Sequence, residues 1–191
     1  MILPIRIYGD PALRAKTYEV DADSEDLQQL IDDMHETLRG AEGIGLAAPQ
    51  VGRTERVFLV DLRAVVDESE NSLPPQPMVF INPSIAWESD DDGEFEEGCL
   101  SIPDVREMVI RPDSIQMWYL DRDFEPHHIK VGGLLARVIQ HEYDHLEGVL
   151  FIDLITPFRR SLIRRRLREM TRGNVEADYL VAGPVSKGAR W

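Results

Sequence analysis

Apolar positions recur along this chain with two periods, one helical and one extended, and they set out its elements in order. Leu27, Leu30, Ile31, Met34 and Leu38 keep the i, i+3, i+4, i+7 spacing of a helix with a single apolar stripe. Asp23 or Ser24 can cap it and Gly40 can end it. His35 belongs on its solvated side. β-rich runs follow at 56–61, 78–81 and 85–88, with a break at Asn82-Pro83 between the last two. The strand pattern continues through Val109 to Arg111, again over 114–120, and briefly at 129–131. From Gly133 the chain is apolar on nearly every side, the mark of a buried helix. Gly148 is its expected stop. Residues 149–152 read as a short apolar strand. Thr156-Pro157 then supplies a cap and a favoured first position. It opens a helix at about 157–172 with an apolar stripe of Phe158, Leu162, Ile163, Leu167 and Met170. The opposite face carries Arg159, Arg160, Arg164, Arg165, Arg166 and Arg168.

Turn residues fill the gaps. Gly9-Asp10-Pro11 and Asp121–Asp123 are turns, 67–77 is a loop, and Ser89–Gly93 is a solvated hairpin end. His127 and His128 fall in a polar region and are expected to be exposed. Residues 178–181 can add an edge strand, and 186–191 are expected to fray. The order predicts an α+β fold: antiparallel β-sheets around a central buried helix, plus an N-terminal and a C-terminal helix. One domain is expected over 1–191, with the tail 173–191 peripheral.

Composition narrows the function classes. The 191 residues are 43% hydrophobic and 29% charged, which suits one globular domain with a sizeable core. No apolar run approaches membrane-spanning length, and no secretory signal pattern opens the chain, so a cytoplasmic location with no membrane partner is expected. A net charge of −14 argues against a general nucleic-acid binder. The single cysteine, Cys99, rules out an intramolecular disulfide.

The chemistry concentrates in Gln140–Gly148. His141 and His145 lie four apart, so a helix stacks them one turn apart on one face. Two imidazoles so placed can bind one metal, with Glu142 beside it as a base. Buried polar groups need partners, and Asp144 or Glu147 could orient the rings. A catalytic site usually takes a third protein ligand and leaves one position open. No histidine follows Gly148, and Asp153, Glu169, Glu176 and Asp178 lack zinc-peptidase spacing. Cys99 is therefore the preferred third ligand, with Gly98 giving it room. The small residues of Gly43–Gly52 do not complete a phosphate-binding pattern. They instead allow close backbone approach, as beside an extended peptide, and Gln50 can donate to a carbonyl.

Three segments together, Gly43–Gln50, Glu97–Ser101 and Gln140–Gly148, resemble in order the signature motifs of the bacterial peptide deformylases. The resemblance extends over roughly 1–172. It implies an enzyme that removes the N-formyl group from the initiator methionine of new proteins, releasing formate. In it, metal-activated water attacks the formyl carbon. Cys99, His141 and His145 would hold Fe²⁺, often replaced by Zn²⁺ or Ni²⁺ on purification. Glu142 would be general base and acid, while Gln50 and the Leu100 N–H would bind the formyl oxygen. An extended peptide would pair near Gly43, Gly45 and Gly98, and Ile44, Leu134 and Val138 would receive methionine. Glu97 and Arg106 would sit by the channel as a pair. Arg137 departs from a common aliphatic residue; its stem would line the pocket and its head reach water. The resemblance also implies ribosome docking through the Arg-rich C-terminal helix, which suits a phosphate surface.

Overall fold

A computed structural model describes residues 1–66 and 74–183. The loop expectation at 67–73 and the frayed end at 186–191 lie outside the described residues. The observed strands are β1 (Ile5–Arg6), β2 (Gly45–Ala47), β3 (Val57–Val60), β4 (Met78–Glu88), β5 (Asp92–Cys99), β6 (Ile102–Pro112), β7 (Ser114–Leu120), β8 (Pro126–Gly132) and β9 (Val181–Ala182). The helices are α1 (Glu25–Gly40), α2 (Gly133–Leu146) and α3 (Pro157–Thr171). This is the expected α+β arrangement of antiparallel sheets and three helices.

Antiparallel pairing joins five strands in the order β2-β3-β4-β7-β8, and β5 and β6 form a separate two-stranded ribbon. β1 and β9 pair in parallel over two residues. Helix α2 lies against the five-stranded sheet, and Leu135, Ala136, Val138, Ile139 and Leu146 share a core with Phe58, Phe80, Met117 and Tyr119. On α1 the sequence stripe packs as expected, with Leu27, Leu30, Ile31, Met34 and Leu38 all buried. Ser24 is its cap, its hydroxyl accepting from the Leu27 N–H at 3.2 Å.

Several expectations change. Residues 78–88 form one strand across Asn82-Pro83, not two. The register shifts there, and Asn82 takes φ +49°. Its side-chain amide accepts from the Val20 N–H and donates to the Val20 carbonyl, both at 2.8 Å. Proline is tolerated because it sits in this bulge. Ser89–Asp91 is not a hairpin end: β4 pairs with β7 while β5 pairs with β6, so the acidic turn is a corner between sheets. Residues 149–152 are not a strand, because a 3₁₀ turn covers Phe151–Asp153. The Asp153 carboxylate closes it by accepting from the Leu150 N–H at 3.0 Å. His35 is half-buried and faces Asp61 at 3.7 Å instead of lying in solvent. His128 is exposed, whereas His127 is half-buried, stacked on Tyr119 and hydrogen-bonded to Asp121. The α3 stripe splits: Leu167 and Met170 are buried, but Phe158 is 70% and Leu162 59% exposed. The tail is not peripheral up to residue 183, since β9 zips onto β1 and Tyr179 packs on the α1 core.

α2 ends where expected. Gly148 adopts φ +71°, and a Cβ there would come within 2.8 Å of the Arg14 carbonyl oxygen. Gly173 shares the conformation, at φ +82°, but faces open space. Gly148→Ala is therefore expected to cost about 2–3 kcal/mol and Gly173→Ala only about 1 kcal/mol. Calorimetric melting checks this, with expected drops of roughly 5–10 °C and 2–4 °C; equal shifts would refute the crowding argument.

Candidate metal centre

Three side chains from two elements converge. Cys99 ends β5, and the ladder with β6 slips between Gly98 and Cys99, turning the sulfur out of strand register. His141 and His145 sit one turn apart on buried α2, their ring centroids 5.2 Å apart. The Cys99 Sγ lies 3.3 Å from His145 Nε2. Ligating atoms of all three residues fall within 4.8 Å of one another.

A buried carboxylate sets the ring orientation. Glu97, two residues before Cys99, lies 2.9 Å from His141 Nδ1, which donates to it; in the neutral ring Nε2 is then the nitrogen left to bind a metal. Arg111 grips the same carboxylate through two bonds, at 2.7 and 3.0 Å, and Arg137 adds a third at 3.1 Å. Arg111 also donates to Asp144 at 2.6 Å. Burial alone would raise the Glu97 pKa, but His141 and Arg111 bring it down to about 2. The orienting acid is thus Glu97, not Asp144 or Glu147; Glu147 pairs with Arg56 at 2.7 Å. Glu97 does not pair with Arg106 either. The Arg106 side chain is 70% exposed and its ion pair is with Glu96, at 4.0 Å. Nor does Arg137 send its head to water: it is buried, bonded to Glu97, the Val109 carbonyl and the Gly93 carbonyl.

Glu142 lines the same cavity with almost no exposure, and its Oε2 has no hydrogen-bond partner among the described residues. Burial pushes its pKa up to about 7, a value suited to both taking and giving a proton near neutrality. Gly45 makes room for it, because any Cβ there would overlap the Glu142 carboxylate. Gln50 is fully buried. Its Oε1 accepts from the Ala47 N–H at 2.7 Å, and its Nε2 points at Cys99 Sγ, 3.5 Å, and Ser101 Oγ, 3.3 Å.

These groups floor one cavity of about 890 Å³. Gly43, Ile44, Gly45 and Gln50 line one side, and Glu97, Gly98, Cys99, Leu100 and Arg106 another. Leu134, Arg137, Val138, His141 and Glu142 come from α2, while His145 is buried and not part of the lining. The sequence reading missed Arg111 and Ser101, which touch these groups, and the tail residues 175–179 and 181, which form the outer wall. Only the alternation of Val175, Ala177, Tyr179 and Val181 gave any sign of that wall.

The donor set fits a metal ion. A thiol and two imidazoles are borderline-soft ligands for a first-row divalent cation. Burial opposes charge on His141, yet hydrogen bonds to Cys99 and Glu97 raise its pKa. Burial and then the His141 charge lower that of His145. The pocket favours positive charge at one ring and disfavours it at the other, and Glu142 lines the same cavity.

The family model for polypeptide deformylase matches residues 2–161. A peptide deformylase of Salinibacter ruber is 60% identical over 182 residues, covering 94% of this chain and 93% of that protein. One of Christiangramia forsetii is 43% identical over the full length of both. The crystal structure of a peptide deformylase from Legionella pneumophila superposes with a TM-score of 0.79 at 38% identity, covering 90% of this chain and 96% of that one. With its Cys–His–His cluster set on the same fold, this chain belongs to the polypeptide deformylase family of metal-dependent enzymes.

Proposed function

We propose that this protein hydrolyses the N-formyl group from the N-terminal methionine of newly synthesised peptides and releases formate. The observation that carries the reading is the meeting of Cys99, His141 and His145 beside the unpaired Glu142 carboxylate at the floor of one cavity. Fe²⁺ is the proposed resident ion, with Zn²⁺ or Ni²⁺ able to take its place. Held by those three residues, such an ion supplies Lewis acidity and makes water a nucleophile at neutral pH.

The chain's own residues do the rest. β2 is an edge of the five-stranded sheet and β5 an edge of its ribbon, and both border the cavity. An extended peptide laid between them can pair with backbone at Gly43, Gly45 and Gly98. Ile44, Leu134 and Val138 offer an apolar seat for the methionine side chain. The Gln50 amide and the Leu100 N–H are the proposed donors to the formyl oxygen as charge grows on it. Glu142 takes a proton from water and returns it to the departing amine.

The cytoplasm is the proposed location. Among the described residues no helix is long and apolar enough to cross a membrane. Docking on ribosomal phosphates is proposed for α3. Arg159, Arg160 and Arg166 there are already paired with Glu107, Asp153 and Asp104. Arg164 and Arg168 enter no ion pair among the described residues, which leaves them for a partner.

Formate release from a formyl-Met tripeptide, with acetyl-Met peptide and casein as controls, tests the activity; cleavage of casein without formate would refute it. Glu142→Gln is expected to keep its metal and lose roughly 10²–10⁴-fold in kcat. Metal analysis and turnover on the same sample check this, and a near wild-type rate would exclude Glu142 as the base. Glu97→Gln is expected to weaken metal binding about 10–100-fold, read by competition with a chelator. Because the Glu97 pKa is depressed, its stabilising effect is full above about pH 4.5 and is lost as pH falls toward 2. The variant should lack that component of acid unfolding.

A further inference from the structure

The deformylase reading above leaves one well-placed group without a task. After α3 the chain continues as a strap, residues 174–182, that lines one side of the cavity. Its near end is tied by Asn174, whose N–H and side-chain amide both donate to Glu169, at 3.0 and 2.8 Å. Its far end is tied to β1: the Ile5 N–H donates to the Leu180 carbonyl at 2.9 Å and the Ile7 N–H to the Ala182 carbonyl at 3.2 Å. Between these ends, across residues 176–179, the one hydrogen bond among the described residues is donated by the Tyr179 hydroxyl. It goes to the Leu100 carbonyl at 2.7 Å.

That acceptor sits at a sensitive point. Leu100 follows the ligand Cys99 in a turn outside the β5–β6 ladder, so no strand partner fixes its carbonyl. Its N–H, one Cα away from the clamped carbonyl, is a proposed donor to the formyl oxygen. The next residue is held on its own two sides: the Ser101 carbonyl accepts from the Tyr8 N–H at 2.8 Å, and its hydroxyl from Gln50 Nε2 at 3.3 Å. Leu100 depends on the strap. Tyr179 itself is half-buried against the same core cluster as Leu100, so its hydroxyl is delivered from a fixed ring.

We propose that Tyr179 is a positioning residue for deformylation: its hydroxyl clamps the Leu100 carbonyl and thereby aims the Leu100 N–H at the substrate's carbonyl oxygen, with the strap as the outer wall of the peptide channel. A donor that matters only as charge develops changes kcat more than substrate binding.

The test compares wild type, Tyr179→Phe and Tyr179→Ala, each metal-loaded without oxygen and with metal content measured. Tyr179→Phe removes only the hydroxyl. It is expected to lower kcat for a formyl-Met tripeptide about 5–10-fold, the worth of one hydrogen bond. KM should stay within twofold and metal content unchanged. Deuterium uptake by the 98–103 backbone should quicken several-fold in the same variant, a readout independent of turnover. Tyr179→Ala should lose at least as much kcat and also raise KM, because the wall goes with the ring. A Tyr179→Phe enzyme with wild-type kcat overturns the proposal, as does a loss confined to KM or one that follows lost metal. Absence of formate from the wild type overturns the deformylase reading itself, a failure distinct from that of Tyr179.

Discussion

The Glu97 carboxylate is the constraint around which this molecule is arranged. It is buried, and it accepts from Arg111, Arg137 and His141 at once. A buried charge is tolerated only when paired and hydrogen-bonded. Here Glu97 and Asp144 balance Arg111 and Arg137, so this network brings no net charge into the core. The geometry follows from that balance. Glu97 is on β5, Arg111 on β6, Arg137 and His141 on α2. One carboxylate thus locks the ribbon to the helix, and Cys99 is two residues further along the locked strand. The three candidate ligands do not have to find one another. The ion-pair network brings together the two elements that carry them.

Close approach is the second constraint, and it works from the opposite side of the cavity. β2 has to pass α2 so tightly that Gly45 cannot carry a side chain, since Glu142 occupies that space. The Gln50 turn that follows β2 is held by its own side chain bonding back to Ala47. The result is a carboxyl group pressed between a helix and a strand edge, dry enough for its pKa to climb to about 7. A group prepared for proton transfer is a consequence of packing here, and the packing depends on a glycine.

The parts legible in the sequence were those written in local periodicity. The α1 stripe, the buried α2, the Ser24 and Thr156 caps and the spacing of His141 and His145 all follow from neighbours within a few residues. What failed to show was set by distant partners. Arg137 reads as a residue that must reach water, because nothing near it in sequence says that Glu97 awaits its head. Arg106 and Arg111 are equivalent candidates by composition; only the β5–β6 register points Arg111 inward and leaves Arg106 outside. Asn82-Pro83 reads as a break because the side chain that heals it bonds to Val20, 62 residues away. The tail reads as peripheral because its strand partner is at the other end of the chain.

The same balance favours a cation over a lone proton at this cluster. With the Glu97 network neutral, the remaining acidic groups at the floor are the Cys99 thiol and the Glu142 carboxyl. Their ionised forms would add two negative charges to a dry site, at a large desolvation cost. A proton on His141 offsets one of them. It cannot offset both, because a second proton on His145 is opposed by burial and by the first. A divalent ion offsets two charges from a single position and needs both imidazoles neutral, which releases the proton that His141 otherwise retains. A bound divalent ion would leave the floor of the site neutral. The free energy of such binding would add to the stability of the same helix and strand that the Glu97 network holds together.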